Sequence, residues 1–226
     1  MNPLLNRLEV ESAADPTAAV IWLHGLGADG NDFAAIVPQL DLSDCPAIRF
    51  VFPHAPSIAV TVNGGYVMPA WYDIRGADLV QGEDDAGIRH SAQAIEALIA
   101  HEVARGIPTE RIVLAGFSQG CAMVLHTGLR HARKLAGIMA LSGYLPLANS
   151  LGSERTPANQ QTPIFMAHGL VDTVVVLARA EESRSALEDL GYPVQWQTYP
   201  MPHSVHPQEI ADISDFLQQV LATEAS

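Results

Sequence analysis

The run Gly116-Phe117-Ser118-Gln119-Gly120 constrains this chain more than any other segment. It follows the apolar residues Ile112-Val113-Leu114-Ala115 and precedes the helix-compatible Cys121-Ala122-Met123-Val124-Leu125. A G-x-S-x-G set between strand and helix is a sharp turn that lifts the serine hydroxyl above a sheet. The serine backbone is strained there, and the flanking positions tolerate only residues without a β-carbon. Glycine and serine also populate ordinary turns. The remainder of the chain therefore has to supply the partners that such a serine needs.

Short apolar runs at 19–23, 48–52, 112–115, 137–141, 164–167 and 194–199 alternate with helical patterns at 32–40, 84–105, 118–131, 177–190 and 207–221. That alternation predicts an α/β fold with a mostly parallel central sheet and helices on both faces. Ile88, Ala92, Ile95, Ile99 and Val103 recur at helical spacing, behind Glu83, Asp84 and Asp85, which suit a positive helix N-terminus. Ile210, Ile213, Phe216, Leu217 and Val220 repeat the pattern, with Pro207 placed for a first turn. No repeat or linker divides the 226 residues, so residues 1–226 read as a single domain. The stretch 53–82 carries Pro53, Pro56, Gly64, Gly65, Pro69 and Gly76 among Tyr66, Met68, Trp71 and Tyr72. It reads as a long loop without secondary structure, either functional or a surface excursion packed by its own aromatics.

A serine hydroxyl is a poor nucleophile until a base takes its proton, and the base needs an orienting acid. The chain order Ser, Asp, His is available. Asp172 follows the run at 164–167, and His203 follows the run at 194–199, so both sit beyond the carboxyl ends of expected strands. His206 competes with His203 but immediately precedes Pro207, which suits a helix cap. An oxyanion hole requires two backbone N–H groups. Gln119, next after the serine, supplies one; Leu26, in His24-Gly25-Leu26-Gly27-Ala28-Asp29-Gly30, is placed for the other. No G-K-[ST] follows those glycines, which argues against a nucleotide loop.

Composition removes several other classes. A net charge of −13 repels nucleic-acid phosphates and anionic membrane surfaces, so no nucleic-acid partner is expected. The longest near-apolar stretch, 137–148, is too short to span a bilayer. The N-terminus shows no apolar signal region, so the expected compartment is cytoplasmic, without stable membrane insertion. Cys45 and Cys121 make no disulfide framework, and Cys121 is expected as a small buried thiol. His24, Asp29, His54, His168, Asp172, His203 and His206 offer metal-ligand chemistry, but no compact H-E-x-x-H set appears. No metal and no cofactor is expected, and His168 reads as a support of the acid loop. A non-catalytic binding protein on the same scaffold is the remaining rival. A homodimer is compatible with the sequence.

Five separated segments carry a resemblance: His24-Gly25-Leu26-Gly27, residues 60–74 (VTVNGGYVMPAWYDI), Gly116 to Gly120, His168-Gly169-x-x-Asp172, and Tyr199-Pro200-Met201-x-His203. Together they resemble the phospholipase/carboxylesterase family, which includes acyl-protein thioesterases and small bacterial carboxylesterases. The likeness runs from about residue 18 to residue 221. It implies an α/β-hydrolase fold without a large cap domain, a triad of Ser118, Asp172 and His203, and oxyanion donors Leu26 and Gln119. It further implies that the segment holding Trp71 borders an acyl pocket. By their own chemistry Trp71, Leu26, Met68 and Val176 fit an apolar acyl channel, and equally a place in the core. Pro202, Thr173, Val176 and His206-Pro207 depart from residues frequent in the family. The expected substrate is a small-molecule acyl ester or thioester. The acidic surface favours a soluble short- to medium-chain ester over an acyl-protein thioester or a lysophospholipid.

Overall fold

The sequence runs that are apolar without interruption become strands covered from both sides. In the computed structural model, which describes residues 4–76, 79 and 82–222, strand β2 (Ala18–Leu23) is wholly buried. Its side chains alternate between two cores: Ala19, Ile21 and Leu23 enter one, Ala18, Val20 and Trp22 the other. Period-two alternation with both faces buried is what a parallel sheet between helical layers requires.

The main sheet adds β1 (Arg7–Glu11), β3 (Ile48–Pro53), β6 (Ile112–Phe117), β7 (Gly137–Leu141), β8 (Ile164–Gly169) and β9 (Val194–Tyr199). Its spatial order is β1-β3-β2-β6-β7-β8-β9. All pairings are parallel except the edge strand β1, which runs antiparallel to β3. Helices α2 (Asp85–Ala104), α3 (Gln119–Gly128), α4 (Ala148–Glu154) and α5 (Leu177–Asp189) contribute to one core. Helices α1 (Asn31–Ala34) and α6 (Pro207–Leu221) contribute to the other. This is the α/β-hydrolase arrangement with no large cap domain. The chain leaves β2 toward β3 on one side and proceeds from β6 to β9 on the other. The order therefore reverses between β2 and β6, where open α/β sheets form a crevice at the strand carboxyl ends.

The differences from expectation are local. The helix expected over 32–40 is split into α1 and a 3₁₀ turn, Val37–Gln39, because Pro38 lacks the N–H that would continue an α-helix. β1 is only half-buried and alternates charge with apolar residues, so its run gives no continuous apolar signal. The stretch 53–82 is not structureless. It contains a two-stranded hairpin of β4 (Ser57–Val60) and β5 (Tyr66–Pro69) outside the main sheet. Gly64 (φ 67°) and Gly65 (φ 80°) close its turn in the left-handed region. Positions 77–78 and 80–81 of that stretch lie outside the described residues, as do both chain ends. Among the described residues, no helix is long and apolar enough to cross a membrane.

Candidate active site

Ser118 stands between β6 and α3 with φ 56° and ψ −115°, a backbone conformation that few non-glycine residues adopt. Its neighbours explain how the turn is held. A β-carbon at Gly116 would lie 2.2 Å from the Gly120 carbonyl oxygen, and one at Gly120 would lie 2.3 Å from that of Leu23. Strand, helix and the end of β2 therefore touch backbone to backbone. The Ser118 N–H donates to the Leu141 carbonyl at 2.9 Å, which anchors the turn to β7.

The three residues expected to meet do so. His203 Nε2 lies 2.9 Å from Ser118 Oγ, and His203 Nδ1 lies 2.6 Å from Asp172 Oδ2. With the proton on Nδ1 shared with the carboxylate, Nε2 is free to accept from the hydroxyl. The Asp172 carboxylate is buried, and its other oxygen accepts the N–H groups of Val174 at 2.8 Å and Val175 at 3.0 Å. The Phe117 ring packs 4.7 Å from the imidazole of His203.

The acid and histidine loops brace each other. Leu170 N–H donates to the Tyr199 carbonyl at 2.8 Å, and a β-carbon at Gly169 would lie 2.4 Å from the Met201 carbonyl oxygen. His168 donates from Nε2 to the Val175 carbonyl at 2.7 Å, with burial lowering its pKa and keeping the ring neutral. It supports the acid loop rather than competing with His203. His206 caps α6: its Nδ1 accepts from Gln208 N–H at 3.1 Å, while Glu209 accepts the His206 N–H at 3.2 Å. That is a capping box with histidine in the serine position.

Among the described residues neither the Leu26 N–H nor the Gln119 N–H makes a backbone hydrogen bond, whereas Gly27 N–H donates to the Pro69 carbonyl at 2.8 Å. A β-carbon at Gly25 would sit 3.3 Å from Ser118 Cβ, so the loop carrying Leu26 lies directly against the serine. His24 orients this loop. Its Nε2 accepts the Ala55 N–H at 3.0 Å and its Nδ1 donates to the Gly25 carbonyl at 2.7 Å. Burial lowers the pKa of His24, which preserves the neutral tautomer those bonds need.

An open groove of about 420 Å³ adjoins the loops of Leu26 and Asp172, with Leu26, Val62, Ile74, Val174 and Val176 on its walls. The exposed large apolar residues among those described all lie on segments 62–67 and 170–176, and of these Val62, Val174 and Val176 are on the groove walls. Val176 stands on the groove wall. Trp71 does not: it is buried, its indole N–H donates to the His24 carbonyl at 2.9 Å, and it is absent from the groove walls. Met68 is half-buried beside Gly27 and is likewise not a wall residue. In sequence, a lining side chain and a supporting one share the same apolar character, so neither resemblance nor residue type separates them. The amide of Gln119 pairs with the backbone of Trp71 and Tyr72, a contact without any local sequence signal.

Cys121 is fully buried in α3, and burial raises its thiol pKa, consistent with an inert packing residue. Among the described residues, one His/Asp/Glu/Cys grouping has metal-like spacing: Glu9, His101 and Glu102. It shares no residue with the Ser118 site. Its two carboxylates are bonded to Arg7, Arg49 and Arg105.

The sequence profile of the family described as Phospholipase/Carboxylesterase matches residues 5–221. An acyl-protein thioesterase 1 of Neurospora crassa is 45% identical over 224 residues, covering 95% of this chain and 91% of that protein. The acyl-protein thioesterase 1 of Gibberella zeae is 42% identical, with 93% of each chain covered. Among solved structures, Zea mays acyl-protein thioesterase 2 superposes with a TM-score of 0.82 at 28% identity, covering 96% of this chain and 99% of that one. Arabidopsis thaliana SOBER1 superposes with a TM-score of 0.84 at 28% identity, covering 90% and 99%.

Proposed function

The chain belongs to the phospholipase/carboxylesterase family of α/β-hydrolases and is an enzyme; from that premise we propose that it hydrolyses acyl thioesters, and related esters, as an acyl-protein thioesterase using Ser118, His203 and Asp172. The observation that carries the reading is the unbroken hydrogen-bonded chain from Asp172 through His203 to Ser118, on a positive-φ serine at the end of β6. The names of the relatives support the thioester class over the soluble short-chain ester that the acidic surface had favoured.

The steps follow from the geometry. Ser118 Oγ attacks the acyl carbonyl carbon while His203 Nε2 takes its proton. Asp172 holds the imidazole by Nδ1 and stabilises the imidazolium. The carbonyl oxygen becomes an oxyanion between the N–H groups of Leu26 and Gln119, where one lost donor costs about 3–4 kcal/mol. Collapse expels the thiolate or alkoxide, which takes the proton from His203. Water then attacks the acyl-serine by the same route, releasing the acid. The groove that Val176 and Val174 border would take the acyl chain, each buried methylene contributing roughly 0.8 kcal/mol. The whole chain would act as one domain.

Turnover of a palmitoylated cysteine peptide, compared with p-nitrophenyl esters from acetate to palmitate, tests this reading. A higher kcat/KM on the thioester supports it, whereas turnover confined to short esters returns the assignment to a carboxylesterase. A fluorophosphonate probe should label Ser118; a folded protein left unlabelled would point to a non-catalytic binder.

A further inference from the structure

Residues 69–72 form a strap that is bonded on one side to the loop of Leu26 and on the other to the elbow. Toward the loop, the Pro69 carbonyl accepts Gly27 N–H at 2.8 Å, and the Trp71 indole N–H donates to the His24 carbonyl at 2.9 Å. Toward the elbow, Trp71 N–H donates to Gln119 Oε1 at 2.8 Å, and Gln119 Nε2 donates to the Tyr72 carbonyl at 2.7 Å. Both side chains are almost wholly buried. The strap is itself fixed, since Ser91 Oγ donates to the Trp71 carbonyl from α2 and the Trp71 ring packs 5.2 Å from that of His24.

Two N–H groups that must converge on one oxygen thus belong to segments more than 90 residues apart, and the strap touches both. The three hydrogen bonds made by the Trp71 indole, the Trp71 N–H and the Gln119 amide N–H are buried, where a bond that loses one partner leaves the other unsatisfied. We propose that Trp71, with the amide of Gln119, is a positioning residue that sets the separation of the two oxyanion donors. This rests on reading Leu26 and Gln119 as those donors. Trp71 touches no substrate; it acts through His24 and Gln119. A donor displaced by a few tenths of an ångström stabilises the developing charge less while leaving acyl-chain binding alone.

Trp71→Phe removes the indole N–H and retains an aromatic ring. With p-nitrophenyl butyrate it should lower kcat about 10- to 30-fold, a fraction of a full donor loss, with KM within about twofold. The Ki of an acyl trifluoromethyl ketone, whose serine adduct carries an oxyanion, should rise by the same factor. Gln119→Glu, which keeps the acceptor for Trp71 N–H and sets an oxygen against the Tyr72 carbonyl, should behave alike. If Trp71→Phe does not fold, benzothienylalanine at position 71 keeps the indole shape without the N–H and replaces it in the assay. Unchanged kcat and Ki overturn the proposal. So does a rise in KM alone, which would make Trp71 an acyl-chain contact. Wild-type protein and Ser118→Ala run in parallel: a wild type insensitive to the ketone, or a Ser118→Ala that still turns over, removes the oxyanion reading itself and the proposal with it.

Discussion

Around Ser118, β-carbons at positions 116 and 120 would sit 2.2 and 2.3 Å from carbonyl oxygens, whereas at Gly64 and Gly65, in the hairpin turn, they would meet nothing within 4 Å. The two regions are neighbours with opposite physics. At the elbow, close backbone contacts and paired polar atoms leave one arrangement available. Along the groove, Val62, Val174 and Val176 stand exposed to solvent. Chemistry needs atoms placed to a few tenths of an ångström, so it sits where packing allows no alternative. Accommodating an acyl chain, as proposed for the groove, needs only apolar surface.

Breaking the rigid side should have the largest consequence. Ser118→Ala should lower kcat by about 10⁶-fold at unchanged stability, measured by ester turnover and thermal melting. Asp172→Asn should follow at about 10⁴-fold, because the imidazole loses the partner that holds its tautomer; retained activity would detach Asp172 from the reaction. Gly120→Ala forces a β-carbon against the Leu23 carbonyl, and should cost on the order of 2–4 kcal/mol of stability together with most of the activity. Chemical denaturation would read the first effect and turnover the second.

The groove should respond differently. Val176→Asp places a charge on a wall that is largely apolar. It should lower kcat/KM for long-chain substrates about 10- to 100-fold while leaving acetate esters nearly untouched. Equal losses for both chain lengths would mean that the groove does not hold the acyl chain. The smallest effect concerns stability alone. Burial raises the Glu209 pKa to about 7, above its unfolded value of 4.5. The folded state therefore binds the extra proton between those values, and stability falls as pH rises from 4.5 to 7. Glu209→Gln should flatten that slope, gaining roughly 1–3 kcal/mol above pH 7 relative to wild type. Melting temperatures at pH 5 and pH 8 would test it.

Much of this was readable in one dimension. The strand runs at 19–23 and 112–115 are apolar on both faces because the parallel sheet buries both, so periodicity and composition point the same way. Ser118, Asp172 and His203 were identifiable because each follows such a run. His206 was separable from His203 by the proline behind it. β1 and the hairpin carry no such signal in the sequence. β1 pairs along a half-buried edge, and the hairpin's glycines read as interruptions when they are the turn itself.

Local order along the chain was enough for the architecture and for which three side chains could do chemistry, since both depend on patterns a few residues long. Where Trp71 points was a matter of folding alone. Its indole, the carbonyl of His24 and the amide of Gln119 meet across spans of 47 and 48 residues, and no nearest-neighbour preference encodes a meeting of that kind. Hydrogen bonds between distant segments exist only once the sheet has brought the strand ends together. The same holds for the groove, whose walls bring together Leu26, Val62, Ile74, Val174 and Arg179 from separate parts of the chain.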